Sequence, residues 1–126
     1  MTVICDAGAL IALERGDAFT WRFLKDQFDA GDPAVTHGGV LTQVWRGGAG
    51  RQALLARALS WIVVLPWDDR VGRRAGELLV RGGTTDAVDA AVVALAGPQD
   101  EILTSDGRDI ARLVVASGLP ITVIPI

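Results

Sequence analysis

Residues 2–15 read TVICDAGALIALER, an apolar run that reaches a carboxylate and continues as a segment rich in alanine and leucine. The segment formed by residues 2–5 is short and rich in β-branched residues, which is typical of a buried strand, and the strand ends at Asp6. Residues 7–15 are mostly good helix formers and predict a helix directly after it. Because this strand-then-helix pattern recurs along the chain, the opening segment indicates the fold class.

The rest of the chain continues the alternation of strands and helices. Helices are predicted at residues 17–30, with Asp17 as N-cap, and at 39–46, 51–60, 68–81, 85–96 and 108–117. Strands are predicted at residues 33–36, 61–65, 101–104 and 121–124. Most strands are apolar along their length, which is typical of a parallel sheet covered on both faces. We therefore expect an α/β fold, a three-layer α/β/α sandwich with a mostly parallel five-stranded sheet.

Length and composition predict a single domain over residues 1–126. Half of the residues are hydrophobic, which favours a globular rather than a disordered chain. Apolar runs such as residues 62–65 are too short to span a bilayer, and no signal peptide is indicated. The single cysteine, Cys5, cannot form an internal disulfide. A cytoplasmic location without membrane contact is the expectation.

The charge is unevenly distributed. The net charge is −3, yet residues 46–81 hold seven arginines against three acidic residues, a net charge of +4. Guanidinium groups match phosphate geometry, so this region is suited to a nucleic-acid backbone. Solvated helix faces explain the same pattern equally well.

Three carboxylates follow predicted strands. Asp6 comes directly after the first strand, and Asp106 closely follows residues 102–105. Asp109 lies three residues further, within reach of the same point if a helix starts there. Ligands of such sheets bind outside the carboxyl ends of the strands, so these side chains are expected at one site.

Asp89 is the most informative acid, because the helix around it is apolar nearly all round. A buried carboxylate is costly unless a partner or a metal compensates it. Structural explanations remain open for the other acids: Asp6 and Asp106 as turn or cap residues, and Asp109 as a favourable charge at a helix N-terminus. Asp86 lies in the first turn of the same helix as Asp89, and for Asp86 a favourable charge at the helix N-terminus is the better explanation.

Carboxylates that converge on one site repel one another, and this repulsion must be compensated. Two such charges about 5 Å apart repel by roughly 3 kcal/mol at an effective dielectric constant of 20. Cations or shared protons must offset this repulsion. Oxygen ligands without clustered histidine or cysteine favour Mg²⁺ or Mn²⁺, which can activate water against a phosphodiester.

Three segments resemble motifs of the PIN-domain family, in the expected order along nearly the whole chain. They are VICDAGAL at residues 3–10, TDAVDA at 85–90 and LTSDGRDI at 103–110. The first motif alone is weak, whereas the second and third at this spacing are fairly specific. Chain length and VWRG at residues 44–47 are similar to those of bacterial VapC-type toxins.

The resemblance implies a metal-dependent ribonuclease with Mg²⁺ or Mn²⁺ as cofactor. Asp6, Asp89 and Asp106 match the catalytic acids, and together with Asp109 they match the metal ligands. Thr104 matches a hydroxyl position that lines the site. The implied partners are an RNA substrate, a cognate VapB-like antitoxin that blocks the site, and a second copy in a homodimer.

One position departs from the family pattern. The second family acid, usually a glutamate on the third helix, falls at Gln43, and Arg46 follows in the same segment. Gln43 and Arg46 are therefore tentative site-lining residues. Glutamine offers a carbonyl oxygen without charge, so a weaker or single metal, reduced activity, or substitution by another acid are all open. Glu14 and Glu77 are available, with no motif to select either.

The sequence fits three other functions less well than the nuclease. A PIN-fold module that binds RNA or a partner protein without cleavage is the main alternative, because of Gln43. A receiver-type signalling domain would need a lysine after the last strand, but Lys25 is the only lysine. A phosphatase motif fails because Asp6 is followed by alanine and glycine. His37 is expected in a solvated loop or as a cap, since no second histidine exists for acid–base chemistry.

Overall fold

The computed structural model describes residues 1–126 and contains five strands and seven α-helices. The strands are β1 (Val3–Cys5), β2 (Val35–His37), β3 (Val63–Leu65), β4 (Glu101–Thr104) and β5 (Thr122–Pro125). The helices are α1 (Ala7–Glu14), α2 (Ala18–Asp29), α3 (Gly38–Val44), α4 (Ala53–Leu59), α5 (Asp69–Gly82), α6 (Ala87–Leu95) and α7 (Gly107–Ser117). A single 3₁₀ turn, Gly50–Gln52, precedes α4.

All five strands are parallel and lie in the order β3-β2-β1-β4-β5. The first strand of the chain is thus the central one, with Ile4 in register with Val35 on one side and Ile102 on the other. The α/β/α class and the five-stranded parallel sheet predicted from sequence are confirmed. Because the carboxyl ends of parallel strands share one edge, the ends of β1 and β4 lie side by side.

The core forms around the central strands and α6. All three residues of β1 are buried, as are five consecutive residues of α6, from Ala90 to Ala94. The edge is different, because Val63 and Val64 in β3 are 44% and 42% exposed. The expectation of a sheet covered on both faces therefore holds for the centre. It fails at the edge strand β3, where consecutive residues, which point to opposite faces, are both exposed.

Some element boundaries differ from the prediction. The predicted helix 51–60 is a 3₁₀ turn followed by a shorter α4, and the predicted strand 33–36 is shifted to Val35–His37. His37 is consequently the last residue of β2 and is fully buried, so the expectation of a solvated loop residue is wrong. The cap role expected for it is confirmed, since the His37 side chain accepts a hydrogen bond from the Gly39 N–H. None of the helices combines the length and the apolar character needed to cross a membrane.

Candidate metal centre

Asp6 links the central strand to the first helix. Its Oδ1 accepts a hydrogen bond of 2.9 Å from the Ala9 N–H, so the carboxylate is the N-cap of α1. The side chain is nearly fully buried at 2% exposure. The structural explanation for Asp6 as a helix cap is therefore confirmed, and the cap fixes the carboxylate at the end of β1, where the site was predicted.

Thr104 connects Asp6 to the neighbouring strand end. Its hydroxyl donates to Asp6 Oδ2, and Thr104 Oγ1 itself accepts a 2.8 Å hydrogen bond from the Asp106 N–H. Thr104 is fully buried at the end of β4. One hydroxyl thus joins the carboxylate after β1 to the backbone after β4.

Three other acids converge beside this pair. One carboxylate oxygen from each of Asp89, Asp106 and Asp109 lies within 4.8 Å of the others. Asp89 comes from the first turn of α6, Asp106 precedes α7 and Asp109 lies in its first turn. Asp6 is not a member of this triad, although it is electrostatically coupled to both Asp89 and Asp106. The four acids predicted from sequence therefore form a triad and an adjacent buried carboxylate.

Asp86 has the structural role expected of it. Its Oδ1 accepts a 3.0 Å hydrogen bond from the Asp89 N–H and caps α6. The same carboxylate also acts on Asp89 at a distance. Burial raises the pKa of Asp89 to about 7, and the negative charge of Asp86 is the next cause, followed by Asp6, Asp106 and Asp109.

Asp6 is perturbed in the same direction. Burial raises its pKa, and the charge of Asp106 adds to this, while hydrogen bonds from Thr104 and Ala9 act in the opposite direction. Both shifts mean that ionised carboxylates are disfavoured here, first by burial and then by the neighbouring negative charges. A bound cation would offset this cost. The donors are all carboxylate oxygens, which fit a hard cation such as Mg²⁺ or Mn²⁺ better than zinc.

The start of α1 is packed closely against the loop after β4. A Cβ atom placed on Gly8 would lie 1.8 Å from Ser105 Oγ and 2.5 Å from Ser105 Cβ. Only glycine fits at this point without movement of the loop. The contact holds the N-terminus of α1, with Asp6 as its cap, against the segment that carries Asp106.

His37 is a second supporting residue, and its contacts were not foreseen from the sequence. Its Nδ1 accepts from the Gly39 N–H at 3.0 Å, and its Nε2 lies 3.1 Å from the Val88 carbonyl oxygen. The two contacts require the neutral ring with the proton on Nε2. The edge of Trp67 covers the ring, with centroids 4.9 Å apart. His37 therefore ties the end of β2 to the residue before Asp89.

Gln43 and Arg46 lie in a different setting from the acids. Both line a groove of about 280 Å³ that also includes Glu14, Arg15 and Arg51. The Gln43 side chain is exposed and makes no hydrogen bond with the acids. Glu14, one of the two glutamates considered as a substitute, lies in this groove, while Glu77 is exposed on α5.

Comparisons with known proteins bear on the fold. No protein-family model matches the sequence, and no curated protein matches it significantly. Among solved structures, the crystal structure of VapBC2 from Rickettsia felis bound to a DNA fragment from their promoter is similar to this chain. The TM-score is 0.73 at 13% identity, over 98% of this chain and 99% of the other. The chain therefore has a PIN/VapC-like fold, as the sequence motifs predicted.

Proposed function

We propose that this chain is a metal-dependent endoribonuclease that hydrolyses RNA phosphodiester bonds. The observation that carries the proposal is the convergence of Asp89, Asp106 and Asp109 within 4.8 Å, next to buried Asp6, at the carboxyl ends of two central parallel strands. Clustered acids on an α/β sheet edge are suited to cation-assisted phosphodiester chemistry.

The residues of the site divide into two roles. Asp89, Asp106 and Asp109 would hold the cation through their converging oxygens. A bound Mg²⁺ or Mn²⁺ supplies positive charge that offsets both the carboxylates and a phosphodiester. Asp6 contributes a further buried negative charge, whose orientation is fixed by the Thr104 hydroxyl and the Ala9 N–H. These two hydrogen bonds keep the Asp6 carboxylate from rotating away from the triad.

We further propose that the chain works as a VapC-like toxin with a VapB-like antitoxin. The similarity in fold to a structure of VapBC2 supports this assignment. A groove of about 500 Å³, lined by Trp21, Trp61 and Leu54 among basic residues, supports a protein partner. We also propose a homodimer, and a second groove, lined by Leu41, Trp45 and Leu59, is an apolar surface suited to a protein contact.

The alternative is a PIN-fold module that binds RNA or a partner without cleavage. The observation that favours it is Gln43, a neutral side chain that makes no hydrogen bond. The two functions differ in whether the acid cluster still supports turnover.

Cleavage of a mixed cellular RNA pool by the purified chain separates the two functions. Reactions contain Mn²⁺, Mg²⁺ or EDTA, and the variants are Asp6→Ala, Asp106→Asn and Gln43→Glu. Asp69→Asn is the matched control, because Asp69 is an exposed acid that pairs only with Arg73. We expect cutting that needs the cation, is lost in the two site variants and persists in the control.

Three results would reject the proposed metal-dependent nuclease. Cutting that continues in EDTA, or that survives Asp6→Ala and Asp106→Asn together, removes the acid cluster from the reaction. No cutting by the parent chain but cutting by Gln43→Glu would establish the binding module instead. The toxin assignment is tested separately by overproduction in cells, where unchanged growth and unchanged RNA would reject it.

A further inference from the structure

The groove that holds Gln43 carries an excess of positive charge. We call it the basic groove and define it by Arg15, Arg46 and Arg51, with Gln43 and Glu14 between them. Arg15 follows α1, Arg46 follows α3 and Arg51 lies in the 3₁₀ turn before α4. Three separate segments of the chain thus bring guanidinium groups to one depression of about 280 Å³.

None of these three cations is neutralised by an ion pair. The three ion pairs of the chain involve Lys25, Arg73 and the N-terminal amine. Glu14 is the one acid that lines the groove, and its Oε1 accepts a 2.7 Å hydrogen bond from Gln52 Nε2. The groove therefore has three positive side chains against one carboxylate, which is already hydrogen-bonded.

Arg46 is exposed, but hydrogen bonds hold its guanidinium group against the end of α3. Its Nη1 donates to the carbonyl oxygens of Thr42 and Trp45, and its Nη2 donates to that of Gln43, at distances of 2.7 to 3.1 Å. The guanidinium thus closes the C-terminal end of α3, where a positive charge is favourable. Three of its five N–H groups are used in this way, and two remain for a ligand.

Gln52 holds the floor of the groove in place. It is only 7% exposed, and its Oε1 accepts from the backbone N–H groups of Arg46 and Gly48 at 2.7 and 3.2 Å. Its Nε2 donates to Val44 O as well as to Glu14. One buried amide therefore fixes the loop that carries Arg46 against α1. An ordered scaffold beneath uncompensated arginines lowers the cost of ordering them around an anion.

The position of the groove relative to the acids is set by α1. This helix begins at Asp6 and reaches the groove at Ile11 and Arg15. At 1.5 Å per residue, Arg15 lies about 13 Å along the helix from the Asp6 cap. That separation corresponds to a few nucleotides of a single strand rather than to the phosphate at the site of cleavage.

We propose that the basic groove is a phosphate-binding subsite that holds the RNA backbone a few nucleotides from the acid cluster. The inference rests on the proposed function for its substrate class, but it concerns residues outside the metal centre. The neutral Gln43 is part of the subsite, because a carboxylate there would oppose the phosphate.

Binding of a fluorescein-labelled single-stranded RNA 12-mer, followed by anisotropy in EDTA, tests the subsite without cleavage. The variants are Arg15→Gln and Arg51→Gln, whose side chains make no hydrogen bond in the fold, and Gln43→Glu. The control is Arg81→Gln, which removes the same charge from an exposed side chain at the carboxyl end of α5, a helix that packs against α6 and α7. Each measurement is repeated from 50 to 200 mM salt.

We expect each arginine variant to weaken binding about 3- to 10-fold and to reduce the salt slope by about 0.7, the value for one phosphate contact on a single strand. Gln43→Glu should weaken binding by a similar factor, and Arg81→Gln by less than 2-fold.

Three results would overturn the subsite: no RNA binding by the parent chain at low salt, equal effects of Arg15→Gln, Arg51→Gln and the control, or tighter binding by Gln43→Glu. These results are distinct from failure of the nuclease. A chain that binds RNA through these arginines but never cuts it in Mn²⁺ retains the subsite and loses the proposed reaction. A chain that cuts RNA, but whose arginine variants bind RNA as well as the parent does, retains the proposed reaction and loses the subsite.

Discussion

The hydroxyl of Thr104 donates to the buried carboxylate of Asp6, ninety-eight positions away in the sequence. Thr104 Oγ1 also accepts a hydrogen bond from the Asp106 N–H. The bond therefore joins the ends of two adjacent strands and fixes the side chain of one predicted catalytic acid relative to the backbone of another.

Removal of this hydroxyl should affect both stability and turnover. In Thr104→Val, Asp6 Oδ2 loses its side-chain partner in a buried setting, which costs about 1–3 kcal/mol of unfolding free energy. Cleavage should fall more than 10-fold, because the Asp6 carboxylate is free to rotate. Urea denaturation and Mn²⁺-dependent cleavage measure the two effects. Thr104→Ser keeps the hydroxyl and should retain most of both properties, and a serine variant as impaired as valine would contradict this role.

The raised pKa of Asp89 predicts competition between protons and the cation. With a pKa of about 7, Asp89 is largely protonated at pH 6 in the metal-free chain. Mn²⁺ must displace that proton, so affinity should rise about 5-fold from pH 6 to pH 7 and level off above about pH 8. Calorimetric titration in buffers of different ionisation enthalpy should detect the released proton. An affinity that does not change between pH 6 and 7 would count against the assignment.

The same shift has a consequence for stability without metal. Because the folded pKa lies above the usual carboxyl value of 3.8, the folded state binds more protons than the unfolded state between about pH 4 and 7. The stabilisation from this proton is lost as the pH rises through 7. Asp89→Asn should therefore be more stable than the parent at pH 8, by a few kcal/mol at most, since one pKa unit corresponds to about 1.4 kcal/mol. Urea denaturation in EDTA at pH 5 and 8 measures the difference.

Close packing at Gly8 predicts a specific pair of compensating substitutions. Gly8→Ala places a methyl group 1.8 Å from Ser105 Oγ, so the loop after β4 must move. We expect a loss of about 1–3 kcal/mol in unfolding free energy. Ser105→Gly in the same chain removes the obstructing atoms and should restore part of that loss. Ala substitution at Gly76, which has open space around it, is the control. If the double variant is no more stable than Gly8→Ala, the contact does not explain the glycine.

His37 predicts a pH dependence of opposite sign to that of Asp89. Burial lowers the pKa of His37 below the usual imidazole value of 6.5. The neutral ring is therefore favoured by folding, and its contribution is present above pH 6.5 and lost as the pH falls through the folded value. Comparison of Asp89→Asn with the double variant Asp89→Asn/His37→Asn isolates this effect, and the slope below pH 6.5 should disappear in the second. Equal slopes in the two chains would rule out His37 as its source.

The fold could be predicted from sequence because its signals are local. Apolar β-branched segments define the strands, and Asp17, Asp68 and Asp86 mark helix starts by capping. Parallel pairing followed from the apolar character of these segments, whereas the order of the strands in the sheet was not predicted. The 3₁₀ turn before α4 and the extension of β2 to His37 were missed, because both depend on contacts with distant residues.

The acid cluster was predictable for a different reason. Asp6 and Asp106 follow strands that share an edge, and Asp89 interrupts an apolar helix, so topology alone brings them together. The contacts of His37 with Val88 and of Gln52 with Glu14 had no such signal, since neither partner is special in sequence. Gln43 was placed by its position in a motif, and the structure shows that arginines surround it.

The central position of β1 also determines when the acid cluster can form during synthesis on the ribosome. Asp6 is made before the other acids, but β4, which supplies Thr104 and the neighbouring strand, is completed only at residue 104. Domains fold as units while the chain emerges, at about 5–20 residues per second. A nascent chain stalled before β4 has no partner for one side of its central strand and no acid triad. A cell that makes this chain is therefore exposed to the assembled acid cluster only after β4 and the first turn of α7 have been translated.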